Sequence, residues 1–535
     1  MSPPHPSPTG PEPAARPATL DGVVLAPVAL DRARLLRWLA FIPTALFLAA
    51  VLAPPLNHDV AAILTFSERW LGGERLYSDL IDVNPPLIFV LNLVPAAIAA
   101  ATPLDGPGAF LACMLALCVG VWRLTVLLRR GRVEGPAERA VLTAAIPLLM
   151  VLPGYDFGQR EHLMALVALP YALLAARRIE GPPVGRGLTA AVAIMAATGF
   201  ALKPHFLAVP ALVEGLILIR RGPPALRDPV PWVMAAAWLL YLASIPILFP
   251  DYSGHVLPLV WIYYTDLGIY GFWGVLLSPL LGPLVPAVIA LLAAAFLLRA
   301  SGALVQVFAL AALGAFLAAW VQHKGWTYHV APVLLLAGAA AVILAARLAD
   351  HALAPARAMA AAPAIALAAT TLLGLHALRG GEAPWRQIAF PDDRAARLTE
   401  WLRREALGER ILVLSPDIYP VYPALNYARA QTTLRTMTLW LLQGVYRDCP
   451  AEGARYRQTW EMSRTEFFVY RTVAEDFARA PPSAVLIARH SGMPNCGGAF
   501  DFIAYFSRHP LFAETWLRYR PAGEIEGYRL YVREN

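Results

Sequence analysis

Asp59 is the residue whose type and position most directly predict chemistry. It stands in the segment Asn57-His58-Asp59, just after a long apolar run. A carboxylate at the end of a membrane helix can act as a general base or help to hold a divalent cation. We expect Asp59 to be a catalytic base with His58 beside it. A bound Mg²⁺, Mn²⁺ or Ca²⁺ at Asp59, and simple capping of the next helix, are the alternatives.

A second polar cluster precedes the next apolar run. The double proline Pro85-Pro86 would fix the start of a helix there, because Pro is tolerated in the first helical turn. We add the polar residues before it to the candidate site: Tyr77, Asp79, Asp82 and Asn84.

The chain has two lysines among its 44 basic Lys and Arg residues, and both lie beside histidines at the ends of apolar segments. A compact ammonium at the membrane surface suits a lipid phosphate, with neighbouring imidazoles as further donors. Snorkelling of Lys324 to the interface is the alternative. We predict phosphate-binding roles for Lys203, His205, His323 and Lys324, and we count His329 as a further candidate.

A third cluster comprises Asp156, Arg160, Glu161 and His162. Arg160 could bind a phosphate through two hydrogen bonds, while Asp156 or Glu161 could orient an acceptor. An Arg160–Glu161 pair that caps the next span is the alternative. The histidines at 58, 162, 205, 323 and 329 lack the short spacing of a zinc site, which favours hydrogen-bonding roles over a structural metal.

Composition indicates a membrane protein. Of the 535 residues 58% are hydrophobic and 15% are charged, and the mean hydropathy is +0.54. Soluble domains carry roughly 25% charged residues. The net charge of +7 comes from short clusters between apolar runs, so no nucleic-acid partner is expected.

Twelve apolar segments alternate with two kinds of connection. From residue 129 onward, connections rich in arginine alternate with those that hold the candidate site residues. The positive-inside rule places the arginine-rich connections in the cytoplasm and the others in the periplasm of a bacterial inner membrane, with about 11–13 spans. The segments are residues 36–56, 84–101, 108–128, 140–153, 163–176, 187–201, 206–219, 231–250, 273–298, 303–321, 330–346 and 359–378.

Three regions follow from these patterns. Residues 1–31 are rich in Pro and predict a disordered cytoplasmic tail, residues 32–379 a polytopic α-helical membrane region, and residues 380–535 a soluble periplasmic α/β domain. In the last region Cys449 and Cys496 could form a disulfide if it faces an oxidising compartment. Its predicted elements are helices at 394–406 and 464–480, strands at 410–415 and 484–488, and a hairpin of 516–519 with 528–532.

The order of three elements resembles the GT-C class of membrane glycosyltransferases that use polyprenyl-phosphate sugars. These elements are Asp59, the segment GERLYSD at residues 73–79, and Pro85-Pro86-Leu87. Within the class, the chain is most similar to the branch of protein O-mannosyltransferases (glycosyltransferase family 39), lipid A aminoarabinose transferases and rhizobial galacturonosyltransferases.

Two positions depart from that branch. Its members often have an acidic pair where this chain has His58-Asp59. The aminoarabinose transferases have Glu-Lys before the double proline, with the Lys implicated in binding the donor phosphate, where this chain has Val83-Asn84. The phosphate contact would therefore have to come from other residues.

The resemblance implies an inverting glycosyltransferase (EC 2.4 class). It would move one sugar from a polyprenyl-phosphate donor to a hydroxyl acceptor on the periplasmic side. The favoured acceptor is a lipid or cell-envelope glycan, and a protein acceptor is the less favoured alternative. A transporter or flippase of a lipid-linked saccharide is the main alternative, although no internal repeat is visible. A non-catalytic assembly protein for envelope-polysaccharide enzymes is the other.

Overall fold

The computed structural model describes residues 32–265, 267–268, 270–378, 384–450, 454–525 and 527–534. The predicted cytoplasmic tail, residues 1–31, lies outside these ranges. Helices dominate the described part of the chain up to residue 378, and a small sheet follows.

Each of the twelve apolar segments contains a helix. The α-helices up to residue 378 are α1 (Arg32–Leu39), α2 (Ile42–Leu52), α3 (His58–Leu71), α4 (Leu87–Ala101), α5 (Gly106–Arg129), α6 (Pro136–Val151), α7 (Arg160–Glu180), α8 (Arg186–Phe200), α9 (Ala208–Arg221), α10 (Pro229–Leu248), α11 (Leu257–Leu259), α12 (Leu284–Leu297), α13 (Gly302–Gln322), α14 (Thr327–Ala352) and α15 (Pro355–Ala377).

Among the described residues, seven helical stretches are long and apolar enough to cross a membrane. They are residues 32–52 (α1 and α2 together), α5, α7, α10, α13, α14 and α15. The shorter apolar helices α4, α8 and α12 have 14 or 15 residues. A multi-pass membrane protein is therefore confirmed, while the count of about 11–13 crossings stays a prediction.

Helix α7 runs through the middle of the helical region. Nearly all of its residues from Arg160 to Arg177 are buried, and it packs against α5, α8, α9, α13 and α14. Its first turn carries Arg160 and Glu161. This central helix therefore fixes two of the predicted site residues in place.

Helix α3 is not one of the candidate spans. Asn57 caps it, because the Asn57 side chain accepts hydrogen bonds from the backbone N–H groups of Asp59 and Val60. Asp59 therefore lies in the first turn and is not the cap, so the capping interpretation of Asp59 is wrong.

The C-terminal region, residues 384–534, contains a five-stranded sheet of order β2-β1-β3-β5-β4. The central strand β3 is parallel to β1 and antiparallel to β5, and β4 and β5 form a hairpin. The strands are β1 (Arg410–Leu414), β2 (Gln431–Thr432), β3 (Ala484–Ala488), β4 (Tyr519–Ile525) and β5 (Tyr528–Arg533).

The helices of this region are α16 (Trp385–Ala389), α17 (Arg394–Glu405), α18 (Val421–Ala428), α19 (Trp440–Val445), α20 (Arg464–Arg479), α21 (Phe502–Phe506) and α22 (Pro510–Trp516). The predicted helices and strands at 394–406, 410–415, 464–480 and 484–488 are all present. The predicted first hairpin strand is placed too early. Trp516 ends α22, where its ring stacks on Phe512 and Tyr519, and β4 begins at Tyr519.

The C-terminal region rests on α3 and on the segment that follows it. The Asn426 amide donates to the Ala61 carbonyl at 3.0 Å, and Arg69 donates to the Leu434 carbonyl at 2.8 Å. The Ile81 N–H donates to the Arg435 carbonyl at 2.6 Å. These contacts bring the C-terminal region over the start of α3, where Asp59 lies.

Candidate active-site cavity

A cavity of about 640 Å³ lies between the ends of the apolar helices and the C-terminal region. Five residues predicted for the site line it: His58, Asp59, Asp82, Asn84 and Arg160. Aromatic and charged side chains from other segments complete the wall, among them Tyr264, Trp326, Tyr328, Arg386, Arg394, Asp417 and Tyr419.

The Asp59 carboxylate is held by a bond to the segment that precedes α7. The Gln159 amide donates to Asp59 Oδ2 at 2.9 Å and to Asn57 Oδ1 at 2.8 Å. Burial alone would raise the pKa of Asp59, but the positive charges of His58, Arg160 and Lys203 and the Gln159 hydrogen bond outweigh it and hold this pKa below its ordinary value. Asp59 is therefore a carboxylate at neutral pH and can accept a proton.

His58 connects the cavity to the C-terminal region. Its Nδ1 lies 2.8 Å from the Tyr155 hydroxyl, and its Nε2 lies 3.8 Å from Asp59 Oδ1. The Arg386 guanidinium lies over the rings of Tyr155 and Tyr419, 4.2 Å and 4.9 Å from their centroids. Side chains from three distant segments thus fix the wall beside Asp59.

Arg160 shares the cavity with Asp59 and retains hydrogen-bonding capacity. It is only 6% exposed, and its Nε has no hydrogen-bond partner among the described residues. A buried guanidinium with an unused donor is a strong binding group for a phosphate.

Glu161 points to a different partner. Lys203 Nζ donates to Glu161 Oε1 at 2.5 Å and to Gln322 Oε1 at 2.8 Å, and His329 Nε2 lies 3.8 Å from the same Glu161 oxygen. Glu161 thus pairs with Lys203, which argues against an Arg160–Glu161 helix cap. Burial lowers the pKa of Lys203 to about 8, although Glu161 opposes this shift.

Lys203 and His205 lie outside the cavity lining. Burial, with the charges of Lys203 and Arg160 adding to it, lowers the pKa of His205 to about 3. His205 is therefore neutral at physiological pH and supplies no positive charge to a phosphate.

The two residues of the pair His323-Lys324 face different surroundings. Lys324 Nζ donates to the Tyr264 carbonyl at 2.9 Å and lies 3.3 Å from the centroid of the Tyr264 ring, which lines the cavity. His323 is part-exposed and packs against Phe272. The structure thus brings Lys324 to the cavity wall and leaves His323 outside its lining.

Asp82 and Asn84 form one corner of the cavity. Asn84 donates to Asp82 Oδ1 from its backbone at 2.9 Å and from its side chain at 2.7 Å. Tyr77 lies behind them and donates to the Asn84 carbonyl at 2.6 Å. Burial raises the pKa of Asp82. Tyr77 therefore shapes this corner without lining it.

Three other candidates lie away from the cavity lining. Asp79 is 40% exposed and pairs with Arg75 at 3.3 Å. Asp156 is buried behind Asn57, whose side-chain amide donates to it at 3.1 Å. His162 is buried in α7, where its Nδ1 accepts from the Gly158 N–H at 2.9 Å. Asp156 and His162 therefore stabilise the local structure around Asn57 and the start of α7.

Sequence reasoning missed the contribution of the C-terminal region. Arg386, Arg394, Asp417 and Tyr419 line the cavity, and Arg394 lies 5.1 Å from the centroid of the Tyr419 ring. They follow Asp59 by more than 300 positions, so no local spacing pattern could have linked them to it. In the same region Cys449 and Cys496 are joined by a disulfide.

The described residues contain no group of three or more His, Cys, Asp and Glu side chains placed to hold a metal ion. Of these residue types, His58 lies beside Asp59, with its Nε2 3.8 Å from Asp59 Oδ1. The divalent cation at Asp59 stays a prediction.

No protein-family model and no curated protein matches the sequence. Solved structures of ArnT from Cupriavidus metallidurans are similar to this chain over more than nine-tenths of its length. The apo form has a TM-score of 0.53 at 13% identity, covering 92% of this chain and 97% of that one. The form bound to undecaprenyl phosphate has the same TM-score and identity, covering 94% and 98%. The GT-C fold predicted from the sequence motifs is therefore confirmed.

Proposed function

We propose that this protein is a glycosyltransferase that takes a sugar from a polyprenyl-phosphate donor and passes it to a hydroxyl acceptor. One observation carries the proposal. An ionised carboxylate, Asp59, and a buried guanidinium with an unused donor, Arg160, line the same cavity at the ends of apolar helices. The fold supports it, since ArnT shares this fold and was solved with undecaprenyl phosphate bound.

The chemistry requires one bond to form and one to break at the anomeric carbon. The acceptor oxygen attacks that carbon from the face opposite the phosphate, and Asp59 takes the hydroxyl proton. The bond between the anomeric carbon and the phosphate oxygen breaks, and its electron pair leaves with the polyprenyl phosphate. The configuration of the sugar is thereby inverted.

Arg160 would stabilise the leaving phosphate. Arg160 already lines the cavity, so little reorganisation is needed as negative charge develops in the transition state. Lys324, whose ammonium lies against the cavity-lining ring of Tyr264, adds a second positive charge at the cavity wall.

Lys203 acts through Glu161 and not on the donor. By pairing with Glu161 at 2.5 Å, it shares that buried carboxylate with Arg160, whose positive charge Glu161 also stabilises. We therefore assign Lys203 a positioning role. His205 and His323 lie outside the cavity lining, and this proposal gives them no direct contact with the phosphate.

The C-terminal region would hold the acceptor, a lipid or envelope glycan, on the periplasmic side of a bacterial inner membrane. It covers the cavity with Arg386, Arg394 and Tyr419. Two features support this orientation. The C-terminal region contains the Cys449–Cys496 disulfide, which suits an oxidising compartment. The arginine-rich connections, which the positive-inside rule places in the cytoplasm, are not the connections that hold the candidate site residues.

The test is a turnover assay with purified protein in sealed vesicles and a panel of radiolabelled polyprenyl-phosphate sugars. Candidate lipid and glycan acceptors are supplied with and without divalent cations. We expect release of free polyprenyl phosphate together with labelled acceptor. Movement of the intact lipid-linked sugar between leaflets without cleavage would contradict the proposal and favour the flippase alternative.

A further inference from the structure

A second cavity lies at the other end of α7, where this helix meets the starts of α8 and α10. Its volume is also about 640 Å³. One part of its wall is apolar, with Leu174, Ala193, Val230 and Val233. The other part holds arginines at positions 177, 178, 186 and 221, together with Asp228.

The arginines outnumber the carboxylates that neutralise them. Arg178 pairs with Glu214 at 2.6 Å and with Asp228 at 2.7 Å, and Arg221 pairs with the same Asp228 oxygen at 2.9 Å. The two carboxylates thus pair with two of the four guanidinium groups. The cavity therefore has a positive excess and suits an anion.

Arg177 supplies an independent observation that points to a hydrogen-bond acceptor. It is 7% exposed and donates through its terminal nitrogens to the carbonyls of Leu128 at 2.9 Å and Pro182 at 3.0 Å. Its Nε is buried without a hydrogen-bond partner among the described residues. A buried donor of this kind is expected to bind an acceptor.

We propose that this cavity binds the phosphate headgroup of an anionic membrane lipid, with the acyl chains along its apolar wall. Basic pockets between membrane helices recognise such headgroups through arginine. Trp232, in the first turn of α10 beside the cavity, is 61% exposed, as expected of a side chain at the membrane interface. A free phosphate ion would satisfy the arginines but leave the apolar wall without a partner.

This site is separate from the Asp59 cavity. Arg160 and Arg177 lie near opposite ends of α7, which at about 1.5 Å per residue puts them roughly 25 Å apart. The proposal therefore does not depend on the proposed transferase activity, and binding alone tests it.

The experiment uses the full-length protein in a nonionic detergent and measures binding of phosphatidylglycerol by native mass spectrometry. Arg186 and Arg221 are exposed, so the double variant Arg186→Gln/Arg221→Gln should fold. The matched control, Arg130→Gln/Arg299→Gln, removes the same charge from exposed arginines outside the cavity. Phosphatidylcholine and inorganic phosphate are the ligand controls.

We expect phosphatidylglycerol to bind the wild type and the control equally and the Arg186/Arg221 variant at least about tenfold more weakly. Phosphatidylcholine should bind weakly to all three proteins. An equal loss of phosphatidylglycerol binding in both double variants would overturn the proposal, because it would show a nonspecific effect of charge. Competition by inorganic phosphate at concentrations similar to those of the lipid would overturn the lipid assignment.

Discussion

The Asp59 carboxylate and the Gln159 side-chain amide are joined by a 2.9 Å hydrogen bond, although the two residues are 100 positions apart. Gln159 directly precedes Arg160, the first residue of α7. This bond therefore fixes the carboxylate and the guanidinium relative to each other before any ligand enters. Such preorganisation is what charge development in a transition state requires.

Arg160→Gln should weaken binding of undecaprenyl phosphate by about 10–100-fold, because one or two charge-assisted hydrogen bonds are lost. Binding to purified protein can be followed by native mass spectrometry or by quenching of tryptophan fluorescence. Arg75→Gln is the control, since Arg75 is 76% exposed and lies outside the cavity lining. Equal affinity of Arg160→Gln and wild type would contradict the phosphate role of Arg160.

The rate of transfer should fall as pH rises through about 8. The buried Lys203 loses its proton in this range because its pKa is about 8, and the unneutralised Glu161 then competes for Arg160. Lys203→Arg should move this alkaline limb to higher pH, since a guanidinium stays protonated. The measurement is kcat/KM between pH 6 and 10. An alkaline limb that is identical in both proteins would exclude Lys203 as its cause.

Glu68→Gln should stabilise the protein at pH 8 and leave its stability unchanged at pH 4. Burial, with the charge of Asp105 adding to it, raises the pKa of Glu68 from 4.5 to about 7. Between these values the folded state keeps a proton that the unfolded state has released, so this residue lowers stability as pH rises through that window. Above pH 7 the penalty is complete, and below pH 4.5 it is absent.

Thermal unfolding in detergent measures this effect. We expect a melting temperature higher by on the order of 2–4 °C for Glu68→Gln at pH 8. Glu400→Gln, on the exposed face of α17, controls for the loss of a surface charge. The same gain at pH 4 and pH 8 would refute a titration of Glu68.

The Cys449–Cys496 disulfide should form in cells and resist maleimide reagents until it is reduced. It closes a loop with a sequence separation of 47, and loops of this size contribute roughly 4 kcal/mol in the chain-entropy model. The assay uses spheroplasts and a Cys113→Ser/Cys118→Ser background, which removes the two cysteines of α5. Labelling without a reductant would contradict the disulfide.

The sequence predicts elements whose signal is local. The segment 484–488 is continuously apolar and forms the buried strand β3, and the run at 394–406 has the helical periodicity of α17. Asp59 could be singled out because it stands at the end of an apolar run. Asn57, two residues before Asp59, caps α3, and the same local pattern could not distinguish this from capping by Asp59.

Long-range contacts account for what the sequence could not predict. Lys203 beside a histidine pointed to phosphate, but tertiary packing gives its ammonium to Glu161 and Gln322. Arg386 reaches the cavity only because the C-terminal region folds back onto α3. These pairings depend on how distant segments pack, and single-sequence patterns do not contain that information.

The central claim is that Asp59 takes the proton of the acceptor hydroxyl. It is tested most directly by single-turnover sugar transfer with purified wild type and Asp59→Asn, with donor binding measured on the same samples. We predict that Asp59→Asn folds, binds the donor within about threefold of wild type, and transfers sugar about 100–10,000-fold more slowly. Asp79→Asn, which alters an acid outside the cavity lining, should transfer at the wild-type rate. Transfer by Asp59→Asn at a rate close to that of wild type would contradict the account.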